Sequence, residues 1–199
     1  MRPLLLKLDQ VEFTDEQFYQ LCCNHDELRF ERSPQGDLII MPPVGGDSGN
    51  REAELTIDLG VWNRQTGLGY VFSSSTIFRL PNGASRSPDV AWVQRERYLG
   101  LTPDERRKFP PIVPDFLIEL RSATDSLEML RRKMQEYQEV GVRLGWLINP
   151  QQQQVEIYRL QEPVEIRDFP ADVSGEDVLP GFQLRIGDWT PERVSSCHD

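Results

Sequence analysis

The stretch Pro114-Asp115-Phe116-Leu117-Ile118-Glu119-Leu120-Arg121 decides how the rest of the chain is read. With a period of two, Phe116, Ile118 and Leu120 face one side of a strand, and Asp115, Leu117, Glu119 and Arg121 face the other. The first side is an apolar core wall. The second sets two carboxylates and a guanidinium on what the neighbouring segments mark as a central, buried strand, where unpaired charge is costly. Charges kept in such a place bind something, so the chemistry is expected here.

Working outward, residues 122–125 form a loop in which Thr124 or Asp125 caps a helix. Leu127, Leu130, Met134 and Tyr137 give that helix an apolar stripe, and Gly141 ends it. Residues 144–148 read as a strand, so strand, helix and strand make a right-handed crossover with parallel neighbours. A final hairpin is expected at 155–160 and 164–169, and at most one short strand after Gly181.

On the other side, residues 69–73, 76–80 and 87–93, joined by short links, predict an antiparallel meander. Before them a helix starts at Asp47 or Ser48 and stops at Gly67. Leu55, Leu59 and Trp62 lie on one side of it and Ala53, Ile57 and Val61 on another, which predicts burial between layers. Glu54 lies close to the second side. It is either a helix-edge side chain reaching water or a third carboxylate for the site. A hairpin at 28–31 and 37–41 and a helix capped by Thr14 complete the chain. The expected class is α/β, an α+β mixed sheet.

The length of 199 residues with 38% hydrophobic content suits one core and is short for two, so a single domain over 1–199 is expected. Acidic residues exceed basic ones by 32 to 22. That balance repels nucleic acid in bulk, so any polyanion binding must rest on a local basic patch or a bound metal. Arg95, Arg97, Arg106, Arg107 and Lys108 form the best patch, although a solvated charged face explains them as well. Cys22, Cys23 and Cys197 have neither zinc spacing nor a disulfide framework, which points to a reducing cytoplasm. No stretch reads as a membrane span. His25 and His198 are the only histidines, so a Ser-His-Asp hydrolase has little support.

Asp89, after Pro88 at the start of one strand, and Glu119, near the end of the next, should lie side by side at one sheet end if the strands are antiparallel. Two carboxylates with room for water suit Mg²⁺. Lys133 projects about 60° from the centre of its helix's apolar stripe and so aims toward the sheet. A snorkelling stem is the commoner use of such a Lys, but Asp89 and Glu119 nearby favour a chemical one.

The order of helix with Glu54, strand with Pro-Asp, strand with Glu-x-basic, helix and strand resembles the PD-(D/E)xK nuclease superfamily. More narrowly, "LPNGASRSPDVAWV" from Leu80, "PDFLIELRSATDSL" from Pro114, "KMQEY" from Lys133 and "GWLINP" from Gly145 resemble the Uma family of restriction endonucleases, over about residues 36–158. The resemblance implies a restriction-endonuclease-like core, αβββαβ, with an extra N-terminal helix and hairpins. It implies Asp89 and Glu119 as ligands of Mg²⁺ or Mn²⁺, Glu54 as a supporting carboxylate, and endonucleolytic hydrolysis of phosphodiester bonds in DNA. The chain departs from the pattern at Arg121, where the superfamily has Lys. Arginine does not readily give up a proton, so Arg121 suits phosphate stabilisation but not base chemistry. The resemblance gives the missing role to Lys133, and Lys133→Met, which keeps the stem, is expected to fold. The alternative is a catalytically inactive nuclease-fold binding or assembly module. Its exposed final hairpin would pair between chains, as in a homodimer.

Overall fold

The computed structural model describes residues 3–8 and 11–187. From the N-terminus, β1 (Leu4–Leu6), β2 (Arg29–Arg32) and β3 (Leu38–Met41) pair antiparallel in the order β1-β3-β2. Between the first two, α1 (Asp15–Asn24) opens with a capping box, Thr14 accepting from the Gln17 amide while the Gln17 side chain accepts from the Thr14 amide. Its buried Phe18 meets Phe30 and Leu38 in a small separate core. α2 (Gly46–Thr66) then ends on Gly67, whose φ of 67° is the left-handed cap that glycine accepts without strain.

β4 (Gly69–Ser73) enters the larger sheet, but the next expected strand does not follow it there. β5 (Phe78–Arg79) and β6 (Ser85–Arg86) fold on each other and join β2, with Arg32 opposite Ser85. The cause is visible at two adjacent side chains. Ile77 fills the Phe18 core and Phe78 the main one, so this segment is the crossing between two sheets. The chain returns at β7 (Val90–Gln94), and the meander is therefore β4, β7 and β8 (Phe116–Leu120). Between β7 and β8 lie α3 (Arg95–Leu99) and α4 (Pro103–Arg107), the latter started by a second capping box at Thr102.

α5 (Leu127–Glu139) carries the crossover to β9 (Leu144–Asn149), which runs parallel to β8 with Phe116 opposite Leu144. Ser126 caps α5, not Thr124 or Asp125; the Asp125 carboxylate accepts from the Ser122 amide instead. β10 (Gln154–Arg159) and β11 (Glu165–Asp168) form the expected hairpin, giving the sheet order β11-β10-β9-β8-β7-β4. The single strand expected late in the chain is β13 (Gln183–Ile186), and it pairs with an unexpected one, β12 (Ala171–Ser174).

The large sheet is covered on both faces. On one, Trp92, Phe116, Ile118 and Trp146 pack against Leu55, Leu59 and Trp62 of α2 and against Leu184 and Ile186. On the other, Ala91, Val93, Leu117 and Leu147 pack against Met134 and Tyr137 of α5. The second apolar side of α2 corrects the sequence reading: Ile57 is 54% and Val61 46% exposed, because among the described residues no element covers that side of the helix. The result is a mixed α and β fold whose core runs α2, β4, β7, β8, α5, β9. Among the described residues no helix is long and apolar enough to cross a membrane.

Candidate active site

Val90 pairs with Ile118 across β7 and β8, so one step further in antiparallel register brings Asp89 opposite Glu119. Asp89 Oδ2 accepts from the Leu120 amide at 2.7 Å, which continues the ladder with a side chain in place of backbone. Glu119, 3% exposed, points to the face covered by α5. Lys133 descends from that helix and puts Nζ 2.8 Å from Glu119 Oε1 and 2.8 Å from Glu31 Oε1. One turn on, Tyr137 donates its hydroxyl to the same Glu119 oxygen at 3.0 Å.

Glu31 comes from β2, in the other sheet, and is as deeply buried as Glu119. It also accepts from the Ser87 amide at 3.0 Å and from Arg86 Nη1 at 3.1 Å. Arg86 completes the network with a two-pronged contact to Glu136 of α5, at 3.0 and 2.6 Å. Four carboxylates, Glu31, Asp89, Glu119 and Glu136, thus face two cations, Arg86 and Lys133.

Burial, and then the charge of Glu119, push Asp89 well above the usual carboxylate range. Burial also raises Glu119, more than the adjacent Lys133 lowers it. For Glu31 burial acts the same way but is outweighed by Lys133 and Arg86, which hold it below its ordinary value. Burial opposes the Lys133 ammonium, yet Glu119 and Glu31 keep it charged beyond the usual lysine range. In the neutral range Lys133 is therefore held as the ammonium.

These groups form the floor of a cavity of about 690 Å³. It is walled by β3, residues 42–48, the loop 122–126 and α5. Of the residues singled out in the sequence, Asp89, Glu119 and Lys133 converge there. Glu54 does not. It follows the exposed second side of α2 into solvent, and Glu52, half a turn of helix away, lines the cavity. Arg121 also points elsewhere. Lying just past β8, it bonds Asn149 Oδ1 at 3.2 Å and the Asp125 carbonyl at 3.3 Å, bracing the loop. Of the basic residues around α3 and α4, Arg97 follows the far end of β7 from Asp89 and pairs with Asp115 at 2.6 Å, while Lys108 pairs with Glu16 of α1 at 3.0 Å.

Glu31, Arg86, Glu136 and Tyr137 were not singled out for the site. Glu136 and Tyr137 had a readable signal, since three and four residues after Lys133 share its helix face. Glu31 and Arg86 had none, because their meeting depends on the crossing between sheets. Among the described residues, no group of three or more Asp, Glu, His or Cys side chains is arranged to hold a metal ion.

The raised Asp89 fixes a sign for stability. A carboxylate whose folded pKa lies above its unfolded value of about 3.9 costs stability once the pH exceeds the folded value, and the cost vanishes below the unfolded one. Asp89→Asn keeps an acceptor for the Leu120 amide and removes the charge. It should raise the melting temperature at pH 8 by a few degrees, at ~2–4 °C per kcal/mol, with the gain shrinking below about pH 4. Calorimetric scans of both proteins across that range check it; an unchanged or lower melting temperature at pH 8 would contradict the assignment.

The family model described as "Uma2: Putative restriction endonuclease" matches residues 15–187. Among solved structures, the crystal structure of "a putative nuclease belonging to DUF820" from Anabaena variabilis ATCC 29413 superimposes with a TM-score of 0.70. The two are 23% identical, over 82% of this chain and 90% of that one, a likeness that speaks for the fold. No curated protein matches the chain.

Proposed function

The chain belongs to the Uma2 family, described as putative restriction endonucleases, and from that premise we propose that it is a metal-dependent endonuclease hydrolysing phosphodiester bonds in DNA. One observation carries the reading: Asp89 and Glu119 stand together on a cavity floor beside a lysine that two carboxylates keep charged across the neutral range.

The pair fits a divalent cation. Asp89 commits Oδ2 to Leu120, and Glu119 commits Oε1 to Lys133 and Tyr137. Among the described residues no hydrogen bond reaches the other oxygen of either. With all four carboxylates ionised, the network is also short of two positive charges, which a divalent cation would supply. Mg²⁺ or Mn²⁺, which takes one or two carboxylates and fills its remaining positions with water and phosphate, matches both features. Bound there, it would polarise the scissile phosphate and lower the pKa of an attacking water.

The protein's own groups have separate tasks. Lys133 offsets negative charge developing on the phosphate, at no cost of reorganisation because Glu31 and Glu119 already fix its ammonium. Arg86 and the Ser87 amide hold Glu31, the Leu120 amide orients Asp89, and Tyr137 orients Glu119. Arg121 takes no part. The free thiols of Cys22 and Cys23 suit a reducing cytoplasm, and the edge strand β11, with Ile166 exposed, suits pairing in a homodimer.

The test is a calorimetric titration of the wild type and Asp89→Ala with Mn²⁺, alongside nicking of supercoiled plasmid by the wild type. Saturable binding that Asp89→Ala abolishes, together with nicking, is the expected result. A wild type that neither binds the ion nor nicks would turn the reading to a binding or assembly module.

A further inference from the structure

The cavity above the carboxylate pair has an ionic floor, and apolar side chains stand among the polar ones of its walls. Met41 and Val44 stand on one side, Met129 and Leu130 on the other, and Val44 and Met129 are 47% and 55% exposed at its mouth. Resting on the nuclease reading, we propose that this cavity takes an unpaired nucleotide, so that the enzyme cuts single-stranded or locally unpaired DNA in preference to continuous duplex.

Three features point that way. A volume of about 690 Å³ is that of a cleft enclosing one small molecule, and the reacting groups lie on its floor. A duplex, with its phosphates held on the outside of a stiff rod, does not enter such a space.

The apolar side chains of the walls need an apolar partner. In a duplex the flat faces of the bases are stacked on one another and only their edges show in the grooves. An unpaired nucleotide offers both halves of what the cavity recognises, a phosphate for the floor and a base face for the methionine and valine walls.

The charge distribution also disfavours duplex binding. Such binding draws on many lysines and arginines set along the phosphate track. Here Arg86 and Lys133 are turned inward to carboxylates, Arg132 pairs with Glu128, and the chain's net charge is −10. Of the cluster around α3 and α4, Arg97 follows the far end of β7 and pairs with Asp115.

The experiment uses the full chain with Mn²⁺ and one labelled 20-nucleotide sequence in three forms: single strand, perfect duplex, and duplex with a three-nucleotide bulge. Cleavage rates are measured for each, and binding is followed by fluorescence anisotropy for the wild type, Val44→Glu and Met129→Glu. The single strand should be cut at least about tenfold faster than the duplex, and the bulged form should be cut at its unpaired bases. Each variant should fold normally and lose about tenfold in single-strand affinity, the scale of one lost base contact. Equal cleavage of single strand and perfect duplex overturns the inference and leaves the nuclease reading intact, and so does single-strand affinity untouched by both variants. If no form is cut but single strand binds in a manner sensitive to Val44 and Met129, the nuclease reading fails and the cavity assignment stands. If nothing is cut or bound, both fail.

Discussion

Lys133→Met should lower the melting temperature by on the order of 10 °C, a loss of about 3–5 kcal/mol, although the new side chain keeps most of the volume of the old. The sequence suggested that this variant would fold, because methionine keeps most of the packing of the lysine stem. The structure adds a cost in charge. The side chain is 11% exposed, and its ammonium lies between Glu31 and Glu119, so its removal takes a cation from two buried carboxylates at once and leaves Glu31 to Arg86. Adding Glu31→Gln to Lys133→Met should recover a sizeable part of the loss, and the double-mutant cycle should show coupling well above the ~0.5 kcal/mol of independent sites. The pH dependence follows from the same pair. Glu31 is held below 4.5 and Lys133 above 10.5, so the difference between wild type and variant should persist across the neutral range. It should close in acid, once the pH falls through the folded pKa of Glu31, and again at alkaline pH, as Lys133 loses its proton. Thermal unfolding followed by circular dichroism measures all of this. Simple additivity of the two substitutions would show that the contact is not holding the fold.

In plasmid nicking, Asp89→Ala should lose on the order of 10²–10³ in rate or more, since on the proposed reading it removes one of two donors for the cation. Arg121→Lys is the informative companion. It writes the superfamily spacing of Glu-x-Lys into the chain, yet Arg121 faces Asn149 and the Asp125 carbonyl, away from the cavity. Its rate should stay within about threefold of wild type, the size of a change felt only through the loop. A large gain from Arg121→Lys would mean that residue 121 swings into the site and that Lys133 does not fill the lysine role.

Much of the site was legible because it is local to strong patterns. The period of two in β8, the helix stripe that aims Lys133 inward and the single-residue geometry of an antiparallel pair suffice to bring Asp89, Glu119 and Lys133 together. The failures share a physical cause. Glu54 was judged by a helix face whose burial depended on a layer that the described residues do not form, and a shift of two residues, to Glu52, is all that separates solvent from cavity. Residues 76–80 were given to the wrong sheet because Ile77 and Phe78 are both apolar, and alternation does not say which core each one fills. Glu31 and Arg86 are joined through that same segment, so a pairing 55 residues apart in sequence left no local trace.

The crossing between the sheets sets conditions on how this centre comes into being. Glu31 and Arg86 are made early in synthesis, Glu119 and Lys133 later, and Lys133 is clamped only after β2 and α5 have closed on each other. A partly synthesised chain carries the clamp without the lysine, and a chain cut by a protease between the sheets carries the lysine without a fixed clamp. Neither piece has the assembled charge that the proposed reaction uses. On the proposed reading, cleavage of DNA would thus wait until β2 and α5 have both folded and closed on each other.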